Sequence, residues 1–222
     1  MTGGVSYNPW TMSAPLVSLQ DVAFSAGKSL ILRSVTLTVV EGEALGLFGG
    51  NGAGKTTLLR LVALLSRPSG GTVDVLGSAT ETDLAPVRRR IGMIGHTPAL
   101  YPTLSLMENL SFLVGMRGEP VDRVGDALAQ VGLGNVTGRQ ARHCSHGMQR
   151  RAEIALQLLT RPDLLLLDEP HSALDGGAAE LVEYLAASVV DRGGAALVVS
   201  HDRDRVMQMT HRNVELVAGG LV

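Results

Sequence analysis

The sequence predicts an α/β fold with a mainly parallel sheet, an antiparallel β edge and an inserted helical subdomain. Three observations carry that expectation. Short apolar runs alternate with helical stretches at both ends of the chain, the rhythm of a parallel sheet covered by helices. In the middle, helical stretches joined by Gly-rich turns interrupt that rhythm. A glycine-rich loop joins one buried strand to the helix that follows it.

The elements follow in order. Residues 1–15 contain Gly, Ser, Asn and Pro, with no basic region and no apolar stretch. They read as a flexible tail, not a signal peptide, and 16–222 as one domain. Leu16–Phe24 reads as a strand. In Ser34–Val40, Val35, Leu37 and Val39 alternate with Ser34, Thr36 and Thr38, the period of a half-buried strand. Ala44–Phe48 is a short apolar strand of the buried parallel kind. A helix from about Gly54 to Leu65 is stopped by Arg67-Pro68-Ser69-Gly70-Gly71. Thr72–Leu76 and Ile91–Ile94 are strands, and Arg88-Arg89-Arg90 between them reads as a solvated turn. The helical subdomain, about 97–160, holds helices over Ser105–Met116, Val121–Val131 and Gly147–Thr160. The strand–helix rhythm then resumes with Leu164–Leu167, Gly176–Asp191, Ala195–Val199, Arg203–Met209 and Asn213–Val217.

Composition narrows the function classes. Of the 222 residues, 45% are hydrophobic and 18% charged, enough apolar material for a sizeable core. A net charge of −2 gives no general field for nucleic acid. The single cysteine, Cys144, excludes an internal disulfide and a cysteine-built zinc site and suits a reducing compartment. His143, His146, His171 and His211 have no metal-ligand spacing and read as surface or interface residues. No apolar run approaches the ~20 residues that span a bilayer, so a membrane role must come through a partner.

Gly49-Gly50-Asn51-Gly52-Ala53-Gly54-Lys55-Thr56 fits G-x-x-x-x-G-K-[ST] in full, after a buried strand and opening a helix. Glycines let main-chain N–H groups turn inward around a polyphosphate, and the helix N-terminus adds partial positive charge. Lys55 reaches the β- and γ-phosphates, and the Thr56 hydroxyl can ligate Mg²⁺. With Thr57, this stretch is the candidate nucleotide cradle of a P-loop NTPase core. A second motif follows Leu164–Leu167, where Asp168-Glu169 lies at the C-terminal end of a buried strand. Ligands of open α/β sheets bind there. Asp168 is placed to hold the Mg²⁺ shell, and Glu169 to take a proton from an attacking water.

With further motifs in the same order, the chain from Leu16 to Val222 resembles the ATP-binding subunits of ABC transporters. Cys144-Ser145-His146-Gly147-Met148-Gln149-Arg150-Arg151 is similar to that family's signature, usually Leu-Ser-Gly-Gly-Gln; Ser145 and Gly147 match, whereas Cys144, His146 and Met148 depart. Ser172-Ala173-Leu174-Asp175 is similar to the D-loop. Ser200-His201 is similar to the switch histidine, and Ile91 to Leu110 to the Q-loop region, with His96 where glutamine is usual. The resemblance implies ATP and Mg²⁺ as ligands, and two subunits stacked head to tail. Ser145 and the Gly147 N–H would contact the γ-phosphate held by the partner, Asp175 would organise the interface, and His201 would contact the γ-phosphate. Taken singly, Ser145 is an ordinary helix N-cap, Asp175 a helix start and His201 a loop residue. His96, whose nitrogen is a poor Mg²⁺ ligand, would act by hydrogen bonds to the attacking water or a γ-phosphate oxygen, or serve as a hinge. The aromatic that usually stacks on adenine is replaced by Ala26, and Phe24 points by alternation to the core.

Within the family, Ile91-Gly92 through Gly95-His96 and the altered signature look most like the haem-exporter ATPases of cytochrome c biogenesis. The resemblance implies a motor on the inner face of the cell membrane, acting on an integral permease of a separate chain, with no nucleic-acid partner. Another exporter ATPase (drug, lipid or small molecule) and a non-transport ABC protein are the alternatives. A GTPase would need a guanine-reading Asn-Lys-x-Asp stretch, which is absent. Lys55, Asp168, Glu169 and His201 together argue against a subunit that only binds nucleotide.

Overall fold

A computed structural model describes residues 15–80, 82–171 and 176–222. The N-terminal tail, apart from Pro15, and the D-loop-like segment 172–175 with Asp175 lie outside them.

Two sheets form the frame. Strands β1 (Pro15–Ala26), β2 (Ser29–Val40) and β4 (Gly70–Val75) make an antiparallel sheet in the order β2-β1-β4. Strands β3 (Ala44–Phe48), β5 (Ile91–Ile94), β6 (Leu164–Asp168), β7 (Ala195–Val199), β8 (Arg212–Val217) and β9 (Gly220–Leu221) make the second, in the order β5-β6-β7-β3-β8-β9. It is parallel except for β9, which folds back on β8. The antiparallel edge expected from the sequence is thus a sheet of its own.

The residues of β3, β6 and β7 are buried throughout, as a sheet covered on both faces requires. Their alternation divides the interior in two. Leu45, Leu47, Leu164, Leu166, Leu197 and Val199 face a core shared with the antiparallel sheet and with Leu58, Leu59, Leu61 and Val62 of α1 (Lys55–Val62). Leu165, Leu167, Ala196 and Val198 face a second core. There they meet α3 (Leu106–Met116), α4 (Val124–Gln130), α5 (His146–Thr160) and α6 (Gly176–Val190), through residues such as Leu110, Leu128, Ile154 and Leu185.

Local chemistry sets the helix boundaries. Ser105 and Glu108 form a reciprocal capping box at the start of α3. Ser145 caps α5 by accepting from the Met148 N–H at 3.2 Å, and α5 ends where Arg161 turns to φ +43°. Asp202 caps α7 (Arg203–Met209). Two expectations needed revision. Strand β2 begins at Ser29, five residues before the alternating segment, because Leu30–Arg33 pair with the end of β1 and receive support from the Gly219 carbonyl. The triple arginine is exposed to solvent, as expected, but only Arg90 lies in a turn. Arg88 and Arg89 end a short helix, α2 (Ala85–Arg89), with the Arg88 guanidinium on the Leu64 carbonyl at 2.8 and 3.1 Å. Arg90 pairs with Asp163 at 2.6 Å.

Candidate functional site

The C-terminal ends of β3, β6 and β7 open on a cavity of about 540 Å³, lined by Ile31, residues 51–57, His96, Asp168, Glu169 and His201. The loop between β3 and α1 can form only with glycine at key positions. Gly49 has φ +149° and Gly54 φ +106°. A Cβ on Gly49 would run into the Leu216 carbonyl, and one on Gly54 into the Leu32 side chain. Gly49 and Gly50 sit behind the cavity wall; Asn51, Gly52, Ala53, Gly54, Lys55, Thr56 and Thr57 belong to it. The Lys55 ammonium folds back over this loop, donating to the Gly49 carbonyl at 2.7 Å and the Gly50 carbonyl at 3.0 Å. Lys55 itself is buried. A cation held by two neutral carbonyls, beside the amino end of α1, makes an environment that favours an anion.

The second acidic motif meets the loop directly. Thr56 Oγ1 donates to Asp168 Oδ2 at 3.0 Å, joining the start of α1 to the end of β6. A hydroxyl and a carboxylate in contact are the hard oxygen donors that Mg²⁺ prefers, and no soft ligand lies among the lining residues. The glycine cradle and this oxygen pair therefore fit a nucleotide polyphosphate with its cation.

Glu169 is held in a strained backbone conformation, φ +52°, which costs a non-glycine residue about 1–3 kcal/mol. Its N–H donates to the Val199 carbonyl at 2.8 Å. One carboxylate oxygen, Oε2, accepts from Ser200 Oγ and the His201 N–H, each at 3.2 Å. The other, Oε1, is buried without a hydrogen-bond partner, with His201 Nε2 at 3.3 Å. The carboxylate is aimed from one side and keeps an oxygen with spare acceptor capacity.

Not every expected residue gathers here. His96 does, on the irregular stretch after β5. Ser145 and Gly147 stand at the amino end of α5, outside the cavity wall. Phe24 packs on the core beside the antiparallel sheet, and Ala26 is exposed; neither lines the cavity. Outside the loop, Ile31 is an apolar residue that does, and sequence periodicity does not reveal it because the alternation begins only at Ser34. Ser200 is legible in the sequence only as the neighbour of His201, since its contact with Glu169 depends on β6 and β7 pairing. Among the described residues no group of three or more His, Cys, Asp or Glu forms a metal cluster, and no helix is long and apolar enough to cross a membrane. Burial, with Arg150 and His96 nearby, lowers the pKa of His146. His171 is lowered chiefly by burial and then by Arg205.

Residues 32–172 match the family model for the ABC transporter. The chain is 39% identical over 202 residues to the aliphatic sulfonates import ATP-binding protein SsuB 2 of Burkholderia cenocepacia, covering 90% of this chain and 73% of that one. It is 34% identical over 194 residues to the cytochrome c biogenesis ATP-binding export protein CcmA 2 of Cupriavidus metallidurans, covering 86% and 92%. Among solved structures, the dimeric post-hydrolysis state of the ATP-binding cassette MJ0796 bound to ADP and Pi superposes with a TM-score of 0.83 at 27% identity, over 92% of this chain and 96% of that one.

Proposed function

The chain belongs to the ABC transporter family as an ATP-binding, ATP-hydrolysing subunit, and from that premise we propose that two copies stack head to tail and drive a separate membrane permease. The reading rests on one observation above the others: Glu169, with a free acceptor oxygen, shares a cavity with the Lys55 loop and the Thr56–Asp168 pair.

In this reading the main-chain N–H groups of Gly49–Thr57 and the Lys55 ammonium grip the β- and γ-phosphates. Thr56 and Asp168 hold Mg²⁺, which when bound neutralises charge on the transferring phosphoryl group. Glu169 takes the proton from the attacking water through Oε1. The His201 main-chain N–H, on Oε2 at 3.2 Å, orients the carboxylate, and the His201 imidazole donates to the γ-phosphate. His96 holds the water or a γ-phosphate oxygen by hydrogen bonding. Ser145 and Gly147 are not among the residues that line the cavity of their own chain, and in this reading they complete the site of the second copy. Asp175 would organise that interface. The helical segment 97–160 acts as the subdomain that meets the permease, with His96–Phe112 as its contact stretch. Tyr101 and Phe112 are half exposed there and meet edge to face, ring centroids 5.4 Å apart. Such a subunit works in the cytoplasm, on the inner face of the membrane.

For cargo, we favour the haem-export, cytochrome c biogenesis type. Support comes from Gly95-His96, from the Ser145–Arg151 motif and from the similarity to CcmA 2. The similarity to the sulfonate importer favours a second reading as an import ATPase. Co-purification from membranes, with identification of the bound permease, separates them. The hydrolytic reading is tested by Glu169→Gln. The variant is expected to bind ATP, to accumulate as a nucleotide-locked dimer on chromatography with ATP and Mg²⁺, and to turn over at least ~100-fold more slowly. Wild-type turnover in that variant removes Glu169 from the chemistry.

A further inference from the structure

The largest fully buried side chain among the described residues is not a hydrocarbon but Arg150, on the second turn of α5. A buried guanidinium is costly unless its donors are used. Here Nη1 donates to the Gly95 carbonyl at 2.7 Å and to Glu153 Oε2 at 2.9 Å, and Nη2 donates to the His96 carbonyl at 3.0 Å. Glu153, also buried, uses its other oxygen to accept from the Ala99 N–H at 2.8 Å. The pair thus reaches out of α5 and fastens the irregular stretch 95–99 at three points. That stretch carries His96 into the cavity wall.

The same helix begins at Ser145, five residues earlier, outside that cavity. One element therefore has an exposed amino end that is not part of the lining of its own nucleotide cavity, and a buried charge pair holding a residue of that cavity. His146, in the first turn, sits close enough to Arg150 and His96 for both to depress its protonation. Ion pairs buried this deeply are replaceable by hydrocarbon as far as stability goes. What hydrocarbon cannot do is fix two main-chain carbonyls in place.

We propose that Arg150, braced by Glu153, is the positioning residue for His96, so that α5 sets the geometry of its own nucleotide site while its amino end serves the site of a second copy. The inference rests on the reading of His96 and Ser145 given above. It makes displacement of α5 by the partner's nucleotide a displacement of His96, and so links the two sites through α5.

The test is a double-mutant cycle on the full chain. Arg150→Met with Glu153→Gln leaves no isolated buried charge and keeps an acceptor for the Ala99 N–H. It is made in the wild type and in His96→Ala, and ATPase rates, KM, fluorescent ATP-analogue binding and thermal unfolding are measured. With His96 present, kcat is expected to fall roughly tenfold or more while KM and analogue affinity hold within about twofold. In the His96→Ala background, which has no side chain to position, the same change is expected to cost less than about twofold. Arg150→Lys, which keeps the charge and a single donor group in place of the guanidinium fork, should restore part of the loss. Equal factors in both backgrounds overturn the proposal, because the pair then acts through the fold. If His96→Ala alone turns over at the wild-type rate, the role of His96 itself fails and the proposal with it, and that single variant distinguishes the two failures. Should the double change unfold the chain, the cycle is run with Arg150→Lys, and equal factors there overturn the proposal in the same way.

Discussion

The two anion-facing helix ends of this molecule are built in opposite ways. At α1, the loop is closed within the chain: Lys55 is buried on its own loop carbonyls, Thr56 is bonded to Asp168, and glycines occupy backbone conformations closed to other residues. At α5, Ser145 and His146 are exposed, and the Ser145 hydroxyl is engaged in the local cap to Met148. The first end is a finished cradle. The second is a helix N-terminus presented to something outside the chain. In the proposed reading hydrolysis needs both, which would place the control of activity in assembly of the second end onto the first.

The largest effect that could break this comparison is at the finished end. Lys55→Ala removes the ammonium of the cradle. ATP affinity is expected to fall at least ~100-fold and turnover by about 1,000-fold, as charge-assisted contacts to a developing anion are lost. Calorimetry with ATP and a phosphate-release assay measure the two. Retained affinity would mean that the main-chain N–H groups alone define the site.

The exposed end gives a smaller but more discriminating outcome. Ser145→Ala should cost α5 about 1 kcal/mol of capping and lower turnover at least ~10-fold, leaving ATP affinity of the monomer unchanged. The sharper measurement is mixing. In a head-to-tail dimer of one Lys55→Ala chain with one Ser145→Ala chain, one site receives both defects and the other neither. An equimolar mixture of two nearly inactive proteins should therefore regain roughly a quarter of wild-type activity. No recovery on mixing, with exchange of subunits shown independently, would place Ser145 in its own chain's site.

The same contrast explains what could be read in the sequence. The finished cradle is a matter of local backbone, so Gly49–Thr56 announce it in consecutive letters. Asp168-Glu169 was legible because a run of four leucines ends there. Ile31, Ser200 and the Arg150–Glu153 clasp were not, because each acquires its partner through strand pairing or packing across long stretches of chain. Arg88 is exposed, as a charge run suggests, but nothing nearby in sequence reveals the Leu64 carbonyl it binds. Ser145 could be read as a cap and is one; its proposed second task depends on a neighbour that no local pattern describes.

The smallest effect concerns His171, which follows the Asp168-Glu169 pair on the route from the finished site to the segment 172–175. Both ring nitrogens are buried with no hydrogen-bond partner. Arg205 and Asp202 of the α7 region, Glu183 of α6 and Glu169 face the ring. Burial, reinforced by Arg205, outweighs the three carboxylates, so protonation is disfavoured in the folded state and the pKa lies below its ordinary 6.5. The unfolded chain then binds more protons on this residue than the folded one once the pH falls to about 6.5 and below. His171 therefore contributes full stability above that pH and loses it as pH falls toward the folded-state value. His171→Leu removes both the unsatisfied nitrogens and the titration. At pH 8 the variant is expected to be more stable by about 1 kcal/mol, and its advantage should widen as the pH is lowered from 7 to 5.5. Thermal unfolding of both proteins across that range, taken as a difference so that the carboxylates common to both cancel, gives the measurement. Parallel curves would show that the imidazole finds a proton acceptor in the folded chain and that its burial carries no pH dependence.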